Sequence, residues 1–298
     1  MRVYSKDSDY IKALELMENI TPVSHKSEAN IIVSGRFTKD DYHEDLKAVI
    51  VPYTGLDGID IELLKKHKVM LFNTTVHSKF VAEKALTLLL SLLGNVINYH
   101  NDLKKGFWGH RNSKERTPWV SLFDKTIGIY GYGRIGQIFH ELIKPFNPSV
   151  HILNRHKSYP DDVTLHETLE SLAKSVEILV IATPLNESTY KSIHAGIIDH
   201  LQDGIIVNVG RGNVIDEEAL YKALANNHLK GFASDVWFEY PKKNETLLPS
   251  IYPIHSFSNV VMTPHCGGFT TTSKDLMIKS VLNTIQKILN QDYSDNLL

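Results

Sequence analysis

Three places in this sequence carry residue types and spacings that could do chemistry. Gly131-Tyr132-Gly133-Arg134-Ile135-Gly136 follows directly on the apolar run Ile127-Gly128-Ile129-Tyr130 and leads into the helical run Gln137-Ile138-Phe139. In that setting Gly131 permits a tight turn, Gly133 lets the backbone approach a pyrophosphate, and Gly136 allows close helix–strand packing. The free N–H groups of the helix start then face the phosphate charge. This predicts a dinucleotide-binding turn rather than a plain one, with Arg134 and Ile135 inside it. The second place is Arg211, just past the apolar strand Ile205-Ile206-Val207-Asn208 and flanked by Gly210 and Gly212. Its backbone can sit close to a ligand, and its planar guanidinium can bind a carboxylate and polarise an adjacent carbonyl, which lysine's point charge does less well. The third is His265, held between Thr263-Pro264 and Cys266-Gly267-Gly268. An imidazolium there can protonate the alkoxide left when a carbonyl is reduced, and the neutral ring can take the proton back in oxidation. With 15 histidines in the chain, residue type alone says little, and the surrounding motif matters more.

At the end of the strand after the glycine turn, an acidic side chain normally takes the ribose hydroxyls of NAD. Asn154 stands there, followed by Arg155, His156 and Lys157. With no carboxylate at that position and several cations beside it, NADP is expected in preference to NAD. The alternative is that the basic run is a solvated loop and Asn154 alone holds the ribose.

The elements that position these groups follow from periodicity. Apolar runs at Ile31-Ile32-Val33-Ser34 and Ala48-Val49-Ile50-Val51, with helical stretches such as Tyr10 to Asn19, indicate a small parallel sheet in residues 1 to about 77. From Lys79 to Leu93, residues Val81, Ala85, Leu88, Leu89, Leu92 and Leu93 keep helical spacing, and Leu86 and Leu90 make the opposite face apolar too. A helix apolar all round is expected to be buried, between domains or between subunits. After a polar, aromatic-bearing stretch from Asn101 to Asp124, strands are predicted at Thr126 to Tyr130, Val150 to Leu153, Ile178 to Ala182, Ile205 to Asn208, Gly231 to Ala233 and Asn259 to Met262. Intervening helices make this a doubly wound sheet. No repeat, low-complexity tract or flexible linker is present, so domain boundaries fall at helix ends.

Composition limits the partners. The chain has 298 residues, 42% hydrophobic and 22% charged, with a net charge of −2. Nothing basic enough to bind nucleic acid or an anionic membrane stands out, and the expected partner is small. A single cysteine, Cys266, excludes an intrachain disulfide and a multi-cysteine metal site, and no metal is expected. The N-terminus lacks a signal-peptide pattern and no apolar run is long enough to span a bilayer, so a cytoplasmic protein is expected. Sequons at Asn73, Asn186 and Asn244 are then chance matches.

Further segments resemble the D-isomer-specific 2-hydroxyacid dehydrogenases, the family of glyoxylate and hydroxypyruvate reductases and of phosphoglycerate, D-lactate and formate dehydrogenases. They run end to end: Leu46-Lys47-Ala48-Val49 with Gly55-Leu56-Asp57-Gly58-Ile59-Asp60, Val81-Ala82-Glu83, the glycine turn, Ala182-Thr183-Pro184-Leu185-Asn186, Asn208-Val209-Gly210-Arg211-Gly212, Asp216-Glu217-Glu218-Ala219-Leu220, Asp235-Val236-Trp237 and Thr263-Pro264-His265. The resemblance implies a Rossmann cofactor domain, 79–266, inserted in a smaller flavodoxin-like α/β substrate domain made of 1–78 and a return helix from 267, with the active site in the cleft. It implies a homodimer through the helix after Val81. It makes Arg211 the anchor of a 2-oxo acid's carboxylate and His265 the proton donor. Asp235 is implied to orient the nicotinamide carboxamide, with Thr183, Pro184 and Val209 lining the dinucleotide. Backbone amides of Thr54, Gly55 and Leu56 are implied to receive the substrate carboxylate.

The sequence departs from the family pattern at two places. Where most relatives carry the glutamate or glutamine that partners the histidine, this chain has Tyr240, with Glu239 one residue earlier. Either the loop shifts and Glu239 reaches His265, raising its pKa, or Tyr240 supplies a neutral hydrogen bond. His77 falls where many relatives have asparagine, and either touches substrate or packs at the hinge. The expected activity is that of an NADP-preferring 2-oxo acid reductase of glyoxylate or hydroxypyruvate type. The alternative is a dinucleotide-sensing, co-repressor-like regulator on the same fold. Stopping near residue 298 argues against phosphoglycerate dehydrogenases with a C-terminal regulatory domain.

Overall fold

The computed structural model describes residues 1–108, 118–154, 158–242 and 245–298. It divides into two compact units, one made of Met1–Ser78 with Gly268–Leu298 and the other of Lys79–Gly267.

The first unit is built on five parallel strands, β1 (Arg2–Ser5), β2 (Thr21–Val23), β3 (Ile31–Val33), β4 (Ala48–Val51) and β5 (Met70–Asn73), in the order β2-β1-β3-β4-β5. Side chains alternate between the faces of a strand, so consecutive apolar residues serve two layers. Ile31, Val33, Ala48, Ile50 and Phe72 pack with Tyr10 and Leu14 and with Val281, Ile285 and Ile288 of the C-terminal helix Ser273–Leu289. Ile32, Val49, Val51 and Leu71 pack on the other face with Phe37, Ile59 and Leu64. The return helix thus supplies part of the core of a sheet whose strands all lie within the first 73 residues. Helix α1 (Ser8–Leu14) is capped by Asp7, whose side chain accepts from the Asp9 amide, and α2 (Ile61–Lys66) by Asp60, which accepts from Leu63. The helix expected over Tyr10 to Asn19 ends earlier, at Leu14. The chain then turns, with Asn19 in the left-handed region at φ 64°.

The second unit opens with α3 (Ser78–Leu93) and α4 (Val96–Lys104). Asn101 to Lys104, the start of the polar, aromatic-bearing stretch, belong to the second of these helices. Seven parallel strands follow: β6 (Thr126–Tyr130), β7 (Ser149–Leu153), β8 (Val163–His166), β9 (Ile178–Ile181), β10 (Ile205–Asn208), β11 (Gly231–Ser234) and β12 (Val260–Met262). Their order is β12-β11-β10-β9-β6-β7-β8, so the winding reverses between β6 and β9. Ligands of such sheets bind outside the carboxyl ends of the strands at that reversal. Two buried clusters cover the two faces, and α3 contributes Ala82, Ala85, Leu88, Leu89 and Leu93 to one of them. Each large apolar side chain so buried contributes about 1.5–3 kcal/mol.

One expectation is corrected here. The sequence reading has six strands in this unit, whereas the sheet has a seventh, β8, at its edge. None of its four residues is fully buried, so it lacks the apolar signature of the others. Within one chain α3 buries the stripe of Ala82, Ala85, Leu88, Leu89 and Leu93, and Leu90 is 38% exposed. No single helix among the described residues is long and apolar enough to cross a membrane.

Candidate active site

Strand β6 delivers the chain into the glycine turn. Gly131 has φ +105°, and a Cβ there would lie 2.6 Å from the Ala182 carbonyl carbon and the Thr183 nitrogen. Both the backbone angle and the close approach of the loop after β9 require glycine. A Cβ at Gly136 would stand 2.3 Å from the Gly131 oxygen, so turn and helix seat directly on one another. Gly133 differs: a Cβ there would meet no atom of the described residues within 4 Å. That clearance leaves room for a ligand's approach. Gly133 is the N-cap of α5 (Arg134–Ile143) and offers no side-chain cap to the first amides. Those donors, with Arg134 exposed beside them, fit a phosphate group.

The other residues expected around a dinucleotide separate into three kinds. Thr183 is buried beside Gly131, and the Pro184 carbonyl accepts from Thr189 Oγ1 at 2.7 Å, which fixes that loop. Val209 is only 4% exposed and packs in the core, while its amide donates to the Ile181 carbonyl at 3.0 Å. Asn154 follows β7 and donates from Nδ2 to Glu167 Oε1 at 2.8 Å. A carboxylate therefore does stand at this position, contributed by the edge strand that the sequence reading lacks. Arg155, expected to meet a 2′-phosphate, lies outside the described residues, as do His156 and Lys157.

Three neighbouring strands bring the expected chemical groups to one edge. β10, β11 and β12 pair in register through Asn208, Ser234 and Met262, and shortly beyond those residues come Arg211, Asp235 and His265. Asn208, fully buried at the end of β10, shapes the first of these loops. Its Oδ1 accepts from Gly210 N and its Nδ2 donates to Arg211 O, both at 3.0 Å. Arg211 itself is half-buried, with Nη1 donating to the Gly210 carbonyl at 2.7 Å. Asn208 was not singled out from sequence, although a polar residue closing an otherwise apolar strand is a usable signal.

His265 has φ +54°, the left-handed region. For a non-glycine residue this costs about 1–3 kcal/mol and needs support from its surroundings. Asp235 supplies it. Its Oδ1 accepts from Thr263 Oγ1 at 2.6 Å and from Cys266 N at 2.9 Å, and its Oδ2 accepts from Gly267 N at 2.7 Å. The carboxylate that the resemblance assigns to the nicotinamide is thus 3% exposed and engaged by the chain's own histidine loop. Trp237 adds a further tie, donating from Nε1 to Thr263 O at 2.8 Å.

Of the two candidate partners of His265, the structure brings Tyr240 to it. The two rings lie 5.5 Å apart between centroids, tilted by 51°, and the Tyr240 hydroxyl accepts from Trp237 N at 3.0 Å. The Glu239 side chain is exposed, and among the described residues no hydrogen bond or ion pair joins it to His265. The short turn from Trp237 to Tyr240 is closed by a backbone amide and so keeps the register that puts the tyrosine ring at the imidazole.

In the first unit, Thr54, Gly55 and Leu56 follow β4 and His77 follows β5, strands paired through Val51 and Asn73. The two loops are tied, with Asn73 Nδ2 donating to Thr54 O at 2.9 Å. His77 is buried, its ring against Gly268, and burial holds its pKa below the ordinary 6.5. A cavity of about 790 Å³ lies elsewhere, at the amino-terminal end of the second unit's sheet beside Lys125, Glu177, Asp203 and Lys230. It contains none of the residues singled out for chemistry.

The model of the NAD-binding domain of D-isomer-specific 2-hydroxyacid dehydrogenases matches residues 86–267, more than half of the chain. The chain belongs to that family. It is accordingly an NAD(P)-dependent enzyme of the D-2-hydroxyacid dehydrogenase class. A glyoxylate reductase of Pyrococcus furiosus is 30% identical over 239 residues, which are 78% of this chain and 69% of that one. A D-3-phosphoglycerate dehydrogenase of Methanocaldococcus jannaschii is 30% identical over 95% of this chain, which spans only 53% of that relative's length. Among solved structures, an NADPH-dependent glyoxylate/hydroxypyruvate reductase of Sinorhizobium meliloti, in complex with NADP and malonate, superposes with a TM-score of 0.81 at 26% identity, covering 96% of this chain and 92% of that one.

Proposed function

We propose that the protein reduces small 2-oxo acids of the glyoxylate and hydroxypyruvate type to D-2-hydroxy acids, as a cytoplasmic homodimer joined through α3. The observation that carries the reading is the placement of Arg211, Asp235 and His265 beyond three adjacent strand ends. The names of the similar reductases support the substrate class.

The chemistry assigned to each residue follows from its surroundings. When bound, the reduced nicotinamide supplies the hydride. The Arg211 guanidinium holds the substrate carboxylate in a two-point grip and draws electron density from the neighbouring carbonyl oxygen. The His265 imidazolium gives that oxygen its proton, and in the reverse direction the neutral ring accepts it. Asp235 keeps the histidine loop in its left-handed form. Tyr240 presents a neutral aromatic ring to His265; a neutral group favours the imidazolium less than an acid does, so reduction is predicted to decline at lower pH than in glutamate-bearing relatives. Thr54, Gly55, Leu56 and His77 are assigned to substrate choice. The preference for NADPH expected from Asn154 has Glu167 against it, so both dinucleotides are proposed as reductants.

Oxidation of NADPH and NADH against a panel of glyoxylate, hydroxypyruvate, pyruvate and bulkier 2-oxo acids tests the reading. Turnover of the two smallest acids, reduced at least about a thousandfold in His265→Ala, is the expected result for a general acid together with the ordered loop that bears it. Turnover of none of them, or wild-type turnover in His265→Ala, overturns it.

A further inference from the structure

The edge strand β8 places a charged group where the sequence shows only an amide. β7 and β8 pair through Leu153 and His166, so the residues just beyond them, Asn154 and Glu167, emerge side by side at the carboxyl edge. The ladder continues one step further, with Asn154 N donating to His166 O at 2.7 Å. The side chains then join, Asn154 Nδ2 to Glu167 Oε1 at 2.8 Å. Position 154 is where this sheet type reads the adenosine ribose.

We propose that Glu167 is a specificity-determining residue for the dinucleotide, acting with Asn154 as a split substitute for the single acid usually found at the end of the second strand. The inference rests on the proposed use of NADH and NADPH as reductants. Its chemistry has two parts. Glu167 occupies one of the two N–H donors of Asn154, which could otherwise have met phosphate oxygens, and leaves the amide oxygen as an acceptor. The carboxylate adds a full negative charge that no ion pair among the described residues neutralises. Together they present acceptors to ribose hydroxyls and repel a 2′-phosphate. An acid reaching in from the neighbouring strand thus does what the sequence position 154 does not.

The size of the effect follows from the charges. One negative charge about 4 Å from a phosphate bearing nearly two, even at the dielectric constant of water, changes affinity by about thirtyfold without salt and by about tenfold once physiological ionic strength screens it. Glu167→Gln keeps the acceptor oxygen and the size of the side chain while removing the charge, and the exposed position puts little at risk in folding.

Calorimetric titration of wild type, Glu167→Gln and Glu167→Lys with NAD+ and NADP+, without substrate, tests the proposal. Glu167→Gln is expected to bind NADP+ about tenfold more tightly with little change for NAD+, Glu167→Lys to go further, and both gains to shrink as salt is raised. A ratio of the two dissociation constants that stays within twofold of wild type in both variants overturns the role of Glu167 alone. A wild-type protein that binds neither dinucleotide overturns this inference together with the reading it rests on.

Discussion

Replacing Asp235 by asparagine tests how the histidine loop is held. The carboxylate accepts three hydrogen bonds, from Thr263 Oγ1 at 2.6 Å, Cys266 N at 2.9 Å and Gly267 N at 2.7 Å. An asparagine has one acceptor oxygen. Placed like Oδ1 it keeps the first two and sets its NH2 against the Gly267 N–H, so two donors face each other. A hydrogen bond to a charged acceptor contributes about 1.5–3 kcal/mol and a neutral one about 0.5–1.5 kcal/mol. Losing one outright and weakening two therefore costs about 3–5 kcal/mol. That exceeds the backbone strain of about 1–3 kcal/mol that the left-handed His265 has to have offset. The loop should leave its geometry in most molecules, and kcat should fall by about two to three orders of magnitude. Steady-state 2-oxo acid reduction, together with amide exchange of residues 263–267 and titration of the dinucleotide, reads this directly. Fast exchange in the loop with dinucleotide affinity kept is the expected pattern. A kcat within threefold of wild type, with weakened dinucleotide binding, would show that Asp235 serves the nicotinamide rather than the histidine loop and refute the reasoning.

Arg211→Lys keeps the charge but loses the planar fork, and kcat/KM should fall by about 2–4 kcal/mol, or roughly 30- to 1000-fold, checked by steady-state kinetics on glyoxylate. Gly131→Ala puts a Cβ 2.6 Å from the Ala182 carbonyl carbon at a φ of +105°, so dinucleotide affinity and thermal stability should drop together; a variant with wild-type affinity would count against the turn. Tyr240→Phe removes the acceptor of the Trp237 amide and should change kcat and its pH profile, whereas Glu239→Gln should leave the profile where it is. Burial holds His77, His140, His151 and His166 below the ordinary imidazole pKa of 6.5. The unfolded chain then binds more protons than the folded one below about pH 6.5, so this stability is present above that pH and is lost as pH falls. Melting temperature should decline from pH 6.5 toward 5, and His140→Gln, which keeps a partner for the Tyr132 hydroxyl now 2.7 Å from His140 Nδ1, should make the decline shallower.

What was legible in the sequence was whatever leaves a local mark. The glycine turn could be read because each glycine meets a constraint within a few residues, a left-handed φ at 131 and a 2.3 Å approach at 136. The buried strands β6, β9 and β10 could be read because a central parallel strand is apolar on both faces. β8 could not, because an edge strand has one side open to water and the alternation of Val163-Thr164-Leu165-His166 is only four residues long, without the continuous apolar run of the central strands.

That one omission propagates into the chemistry. With β8 unseen, Glu167 is simply an acidic residue 13 positions beyond Asn154, and a dinucleotide pocket without a carboxylate follows; with β8 in place, register alone sets the two side by side. Asp235 is a related case. Its motif marks it as functional, but only the fold shows that its donors are Thr263, Cys266 and Gly267, about 30 residues on, because β11 and β12 are neighbours. Residue type announces that a group can do chemistry, whereas pairing of strands decides on what it acts. The groups least visible from sequence are those whose partner sits across a strand boundary, and here both control charge at the site: Glu167 at the position expected for the ribose, and Asp235 beneath the histidine loop.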